Sequence, residues 1–210
     1  MEELVKNLIN LGVLKTQAII DGFLANDRAE FVPADFRLNA YEDFPIPIGF
    51  GQTISQPYTV AFMMELLAPS SGMRILDIGF GSGWTAGILA RVASETGKIY
   101  ALEIIPELFE FGKNNLRKLG YKNIEFVCKS GGDGFAGGAP YDRILVSAAA
   151  SEIPNCLKDQ LKIGGRIVIP VGKAGERQSI VLLEKRSAGD FSEQDYPGFA
   201  FVPFVRDAGN

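Results

Sequence analysis

The chain reads as an α/β protein: a doubly wound, mostly parallel seven-stranded sheet with an N-terminal helical and loop extension and a terminal antiparallel strand pair. Two observations lead there. From residue 73 onward, short apolar runs alternate with amphipathic segments at the spacing of βαβ units, which cross over right-handed onto a parallel sheet. A glycine-rich turn, DIGFGSG, closes the first of those runs where a helix opens. Composition agrees, since 47% hydrophobic and 22% charged residues are ordinary globular values. A length of 210 residues suits one domain with a real core, residues 1–72 forming the extension and 73–210 the α/β core.

Taken in order, residues 2–11 form a helix stopped by Gly12, and residues 16–25 a second helix with Thr16 as its cap. The stretch FVPADFRLNAYEDFPIPIGFGQTISQP is then irregular, rich in Pro and Gly, and too aromatic for disorder. Within it, GQTISQP sets Thr53 and Ser55 just upstream of a helix over residues 58–68. Hydroxyls there satisfy first-turn amides, so a helix cap is the local reading. MRILDIG is a buried strand, GSGWTAGILARVA a helix, KIYALE a strand, PELFEFGKNNLRKLG a helix bounded by Pro106 and Gly120, and NIEFVC a strand. YDRILVSAAA, the short helix IPNCLKDQL and the strand GRIVIPVG continue the alternation. SIVLLEK and GFAFVPFV make the antiparallel pair. Phe109, Phe111 and Phe126 belong to the core, and Cys128 packs as a small apolar residue at its strand end.

Charge and composition exclude several classes. A net charge of −4 is not the basic face of a phosphate-backbone binder, so no nucleic-acid partner is expected. No apolar run is long enough to span a bilayer, and MEELVKNLIN lacks the basic start and apolar centre of a signal peptide. No membrane partner, a cytoplasmic location and a monomer are the default expectations. Cys128 and Cys156 stand apart without C-x-x-C spacing, so neither a metal site nor a disulfide framework is indicated. The chain has no histidine. That removes Ser-His-Asp and Cys-His chemistry together with the usual general base. The reaction should need little proton transfer.

In DIGFGSG, Gly79, Gly81 and Gly83 let backbone amides approach a ligand at a helix N-terminus. Glu103 closes the next strand about twenty residues later, where a carboxylate can accept ribose hydroxyls. Turn and acidic strand end within one βαβ unit point to a nucleoside cofactor. A dinucleotide register starting at Gly81 leaves Asp77 ionised in mid-strand. With the loop starting at Gly79, Asp77 ends the strand facing the cofactor. Its charge there suits a methionyl ammonium and repels a pyrophosphate, which favours S-adenosyl-L-methionine over NAD.

These residues carry a family resemblance. Arg28 with Phe31-Val32-Pro33, then AYEDFPIPIGFGQTISQP, DIGFGSG, APYDRILVSAAASEIP, QLKIGGRIVIPVG and Gln178 resemble the protein-L-isoaspartate (D-aspartate) O-methyltransferases over residues 28–178. GQTISQP is the most specific, lying outside the part shared by all methyltransferases of this fold. The resemblance implies a fold of the S-adenosylmethionine-dependent methyltransferase type, with isoaspartyl-containing peptides and proteins as acceptors. It implies that Ser55 is the active-site hydroxyl, that Thr53, Ile54 and Ser55 line the acceptor pocket, and that Asp77, Gly79, Gly81, Gly83, Glu103 and Gln178 belong to the cofactor side. The chain departs from the family with Asp27 for proline, Phe80 for threonine and Trp84 for tyrosine. Counting without gaps from Asn123 to Pro140 lays the family's adenine-side Gly-Asp-Gly on Lys129-Ser130-Gly131 rather than on Gly132-Asp133-Gly134. The ungapped pairing, with Ser130 and Gly131 at the cofactor, is preferred. Two other readings stay open at this point: transfer to a different carboxylate, and a non-catalytic relative that binds peptide or a protein partner.

Overall fold

A computed structural model describes residues 1–173 and 175–204. Two helices come first, α1 (Glu2–Asn10) and α2 (Gln17–Ala25). Thr16 flanks α2 but does not cap it; its hydroxyl donates to Glu65 Oε2 (2.7 Å), and Glu65 Oε1 takes the Lys15 and Thr16 amides (both 2.8 Å). A carboxylate fifty residues away outcompetes the local cap because it offers charged acceptors to three donors at once. The stretch expected to be irregular contains two short 3₁₀ helices, Arg28–Phe31 and Ala34–Asn39, and a hairpin of β1 (Ile46–Gly49) and β2 (Gln52–Ile54). Its Pro and Gly residues masked the four-residue IPIG strand, whose Ile46 and Ile48 turn inward.

Helix α3 (Pro57–Leu67) is followed by β3 (Arg74–Ile78), α4 (Trp84–Ala93), β4 (Lys98–Glu103), α5 (Pro106–Lys118), β5 (Ile124–Cys128), β6 (Tyr141–Val146), α6 (Asn155–Asp159) and β7 (Leu161–Val171). Two long strands, β8 (Gln178–Ser187) and β9 (Asp190–Phe199), complete the sheet. Its order is β5-β4-β3-β6-β7-β8-β9. Strands β5 through β7 run parallel, while β8 and β9 are antiparallel to their neighbours. The strand expected from GFAFVPFV is displaced: DFSEQDYPGF pairs with β8, and only its last two residues overlap the expected run. Residues 200–204 instead leave the sheet edge, and Val205 lies outside the described residues.

Alternation along each strand feeds two cores. Ile75, Ala101, Leu145 and Val168 face α1 to α5, whereas Leu76, Leu102, Ile144 and Ile167 face the opposite layer. Phe109 is buried as expected, and Phe111 and Phe126 are partly buried against the same core. Cys128 departs from expectation: it is exposed, one residue beyond the last apolar position of β5. Arg143 and Arg166 donate to the carbonyls of Ala68 (3.2 Å) and Leu66 (3.1 Å), satisfying orphan groups at the end of α3. That helix is thereby fixed on the sheet, and the loop preceding it is fixed with it.

Candidate active site

β3 and β6 are neighbours whose connections leave in opposite directions, and a cleft opens beyond their C-terminal ends, as it should at such a switch point. It encloses about 790 Å³ of empty space, its mouth included. Ile78, Gly79, Phe80 and Gly81 form its floor, and Glu103, Ile104 and Ile105 form one side. Gly79, Gly81 and Gly83 all hold positive φ (77°, 49° and 97°), the left-handed backbone that L side chains resist. The loop is braced from behind by α5, where Asn115 Nδ2 donates to the Ser82 carbonyl (3.1 Å). A Cβ on Gly83 would stand 2.9 Å from the Gly112 oxygen, so Gly83 serves packing and does not line the cleft.

Glu103 is 5% exposed and heavily used. Its Oε1 accepts the amides of Ile104 (2.8 Å) and Ile105 (3.0 Å), and Oε2 accepts that of Gly81 (3.1 Å). One carboxylate thus ties the glycine loop to the end of β4. Burial raises its pKa, and the three amides oppose the rise. Of roughly four lone-pair sites, one remains on Oε2. Asp77 is fully buried beneath the loop. Thr85 donates to its Oδ2 (2.8 Å), while Oδ1 has no partner among the described residues. Desolvation lifts its pKa from 3.8 to about 7, and the nearby Glu103 charge adds to the rise. Asp77 does not itself line the cleft, but Ile78, Gly79 and Thr85 around it do. An orphaned carboxylate oxygen at this place fits a cationic ligand group.

Opposite the glycine loop stand Thr53, Ile54 and Ser55. They do not cap α3. The amide of Tyr58 is taken by Asp43 Oδ1 (2.8 Å), and Asp43 Oδ2 accepts from Gln56 Nε2 (3.1 Å). With the cap supplied from a distance, the Ser55 hydroxyl is released from it. The loop's position comes from Arg28, whose guanidinium is fully buried. It donates to the carbonyls of Ala40 (2.7 Å), Glu42 (3.3 Å), Phe44 (3.0 Å) and Ser55 (3.0 Å). Its carbon also lies 5.3 Å from the Trp84 ring centroid. Burial lowers its pKa to about 10, partly offset by Asp43, so it stays charged at neutral pH. A second depression, a groove, adjoins the cleft and shares Thr53, Ser55, Ser147 and Val202 with it. Pro45, Tyr58, Pro197 and Phe199 extend the groove outward.

The remaining expected residues are divided. Lys129 and Gly131 line the cleft, whereas Gly132, Asp133 and Gly134 do not. A Cβ on Gly131 would collide with Ile78, which explains a glycine there. Ser130 lies between them but outside the lining, its Oγ accepting the Gly132 amide (3.2 Å). Gln178 is also outside. Its carboxamide is consumed by Lys173 O (3.0 Å) and by the Phe201 amide (2.8 Å), so it pins the segment that follows β9. That segment, Val202, Pro203 and Phe204, lines the cleft and is bonded to Ala149 on both sides (2.8 and 2.9 Å).

The protein family described as Protein-L-isoaspartate(D-aspartate) O-methyltransferase (PCMT) matches residues 1–209. The chain belongs to this family. A protein-L-isoaspartate O-methyltransferase of Methanopyrus kandleri is 43% identical over 209 residues, covering 99% of this chain and 92% of the relative. One from Methanothermobacter thermautotrophicus is 43% identical over 206 residues, covering 98% and 95%. A solved protein-L-isoaspartate O-methyltransferase superposes with a TM-score of 0.88 at 32% identity, covering 100% of this chain and 67% of its own. A Plasmodium falciparum protein described as a PCMT, solved with S-adenosyl-L-homocysteine, gives a TM-score of 0.86 at 23% identity, covering 98% of both chains, and bears on the fold alone.

Within the PCMT family frame, the departures are packing solutions. Phe80 is 3% exposed and meets Phe109 and Phe126 edge-on, with centroids 6.0 and 5.9 Å away. Trp84 is buried against Phe23 and donates its indole N–H to the Asn26 carbonyl (3.0 Å). Asp27 accepts the Ala29 amide (3.0 Å) and caps the first 3₁₀ turn. Sequence reasoning missed Thr85, Ser147, Val202, Pro203 and Phe204. Thr85 was findable, as the second residue of the helix that follows the glycine loop. The covering segment carried no signal, since an apolar run near a strand pair reads as another strand.

Proposed function

We infer that this chain transfers a methyl group from S-adenosyl-L-methionine to the α-carboxylate of L-isoaspartyl residues in damaged proteins and peptides. The observation that carries it is the junction of the two depressions. A cleft floored by the glycine loop adjoins a second groove, and the two share Thr53, Ser55, Ser147 and Val202 as lining. Residues 1–72 supply much of the acceptor side of one methyltransferase domain and residues 73–210 the cofactor side. The net charge of −4 supports neither a nucleic-acid nor a membrane partner, and a cytoplasmic monomer is the simplest form.

The bound cofactor supplies an electrophilic methyl group on a sulfonium. Asp77, buried beneath the glycine loop, would act on its ammonium from behind the cleft lining, Glu103 would offer the remaining Oε2 lone pair to a ribose hydroxyl, and Lys129 and Gly131 would border the nucleobase side. Ser55 donates its hydroxyl to the acceptor carboxylate and orients it. No general base is required, because a carboxylic acid with a pKa of about 4 is already ionised at neutral pH. Val202, Pro203 and Phe204 give the junction an apolar wall, and an acceptor carboxylate pressed against it would be under-solvated and more reactive.

The test is a radiolabelled methyl assay on paired isoaspartyl and aspartyl peptides. Labelling of the isoaspartyl peptide alone is expected. Equal labelling of both, or of neither despite tight cofactor binding, would overturn the assignment. Ser55→Ala should lower turnover far more than affinity for S-adenosyl-L-homocysteine.

A further inference from the structure

We propose that Ser147 is a second acceptor-contacting hydroxyl, holding the carboxylate of the isoaspartyl residue from the sheet side while Ser55 holds it from the hairpin side. The proposal rests on the functional reading above and adds a residue to it. The groove beside the cleft is lined by Pro45, Thr53, Ser55, Gln56, Tyr58, Thr59, Ser147 and residues 197–202, with no Lys, Arg, Asp or Glu among them. An anion entering such a groove has no cation to meet and must be held by neutral donors.

Few donors are available. Gln56 gives its amide to Asp43, and the Thr59 hydroxyl is engaged with Gln56 Oε1 (3.4 Å). The hydroxyls of Thr53, Ser55 and Ser147 make no hydrogen bond among the described residues, and these same three residues also line the cofactor cleft. The Tyr58 hydroxyl borders only the outer groove. Ser147 differs from the other two in its support. It directly follows β6, and its amide donates to the Ile78 carbonyl (3.0 Å) at the end of β3. Ser147 is thus placed by the sheet at the switch point, whereas Ser55 is placed by Arg28 through its carbonyl (3.0 Å).

Two donors from different elements fix a planar carboxylate in position and tilt, which one donor cannot do. Displacement at a methyl group needs such alignment, because reacting atoms slightly out of line lose most of the rate. The reaction balances without a proton: one carboxylate oxygen forms the bond to the methyl carbon, the sulfur–methyl bond breaks, and its electron pair stays on sulfur. Neither hydroxyl transfers a proton; each only donates a hydrogen bond.

The experiment compares wild type with Ser147→Ala and Ser147→Thr, using an isoaspartyl peptide for kinetics and S-adenosyl-L-homocysteine for calorimetry. Ser147→Ala is expected to lower kcat/KM for the peptide roughly tenfold, the loss of one hydrogen bond to a charged group, with product-cofactor affinity unchanged within about twofold. Ser147→Thr, which keeps the hydroxyl, should recover most of the activity. A Ser147→Ala enzyme as active as wild type, or one that loses cofactor affinity in step with turnover, would overturn the proposal. Failure of Ser147→Thr to recover any activity beyond Ser147→Ala would also count against it. A wild-type enzyme inactive on the isoaspartyl peptide would instead overturn the functional reading, and this inference with it.

Discussion

The two sides of the cleft are built by opposite strategies. The cofactor side is local: Asp77, the glycine loop, Thr85 and Glu103 all lie within one strand–helix–strand unit, and Glu103 ties that unit together through three backbone amides. The acceptor side is remote. Its hairpin and loop are held by Arg28, which gathers four carbonyls 12 to 27 residues away, and by Asp43, which caps a helix from 15 residues upstream. Part of its lining, residues 202–204, arrives from late in the chain, next to a segment pinned by Gln178. A local site can be rigid by backbone geometry alone, whereas a remote one must be clamped by buried polar groups. The difference assigns each side its point of failure.

The largest expected effect is at the clamp. Arg28→Ala leaves four carbonyls without their charged donor, and should cost about 3–5 kcal/mol by denaturant unfolding, from lost charge-assisted bonds and an added cavity. Peptide methylation should fall further than affinity for S-adenosyl-L-homocysteine. Equal loss of both would show that the two sides are not separable.

Next comes Asp77, where the local side stores its cost. Its folded carboxyl keeps a proton to about pH 7, far above the 3.8 of an ordinary aspartate. Its contribution to the stability of the unliganded protein is therefore full below about pH 4 and is lost as pH rises through about 7. Asp77→Asn should accordingly stabilise the unliganded protein at pH 8 by roughly 2–4 kcal/mol, with the gain shrinking toward zero near pH 4. The same variant should bind cofactor poorly. Thermal unfolding of both proteins across that range checks the sign, and a gain independent of pH would assign the effect to packing instead.

A smaller change sharpens the comparison within the local side. Glu103→Ala removes both the tie to Gly81 and the proposed ribose acceptor, and should weaken S-adenosyl-L-homocysteine binding by about 1–3 kcal/mol. Titration calorimetry measures it, and unchanged affinity would remove Glu103 from the cofactor site. The smallest effect is expected at Asp133, whose side chain lies outside the cleft. Asp133→Ala should alter cofactor affinity by less than about 0.5 kcal/mol, as at a surface position without special contacts. A large loss there would place the adenine contact on Gly132-Asp133-Gly134 and not on Lys129-Ser130-Gly131.

The legibility of the chain follows the same division. Strands β3 to β7 and helices α3 to α5 could be placed from periodicity, glycine punctuation and proline at helix starts, because those signals act over a few residues. The glycine loop and Glu103 were equally plain, since their spacing is set inside one βαβ unit. The sequence by itself therefore determined the parallel strands β3 to β7, the glycine loop at the end of β3 with Glu103 beside it, and the absence of any histidine to serve as a general base. It also marked GQTISQP as unusual, though the helix cap it suggested proved to belong to Asp43. Tertiary structure alone decided that Arg28 clamps the Ser55 carbonyl, that Gln178 bonds the Phe201 amide and stays out of the cleft lining, and that residues 202–204 line the cleft where a strand had been expected. Those outcomes depend on groups brought together across 12 to 27 residues, or from opposite ends of the chain, by burial of two apolar cores. A side chain's partner over such separations is chosen by the packed fold, and no local pattern records it.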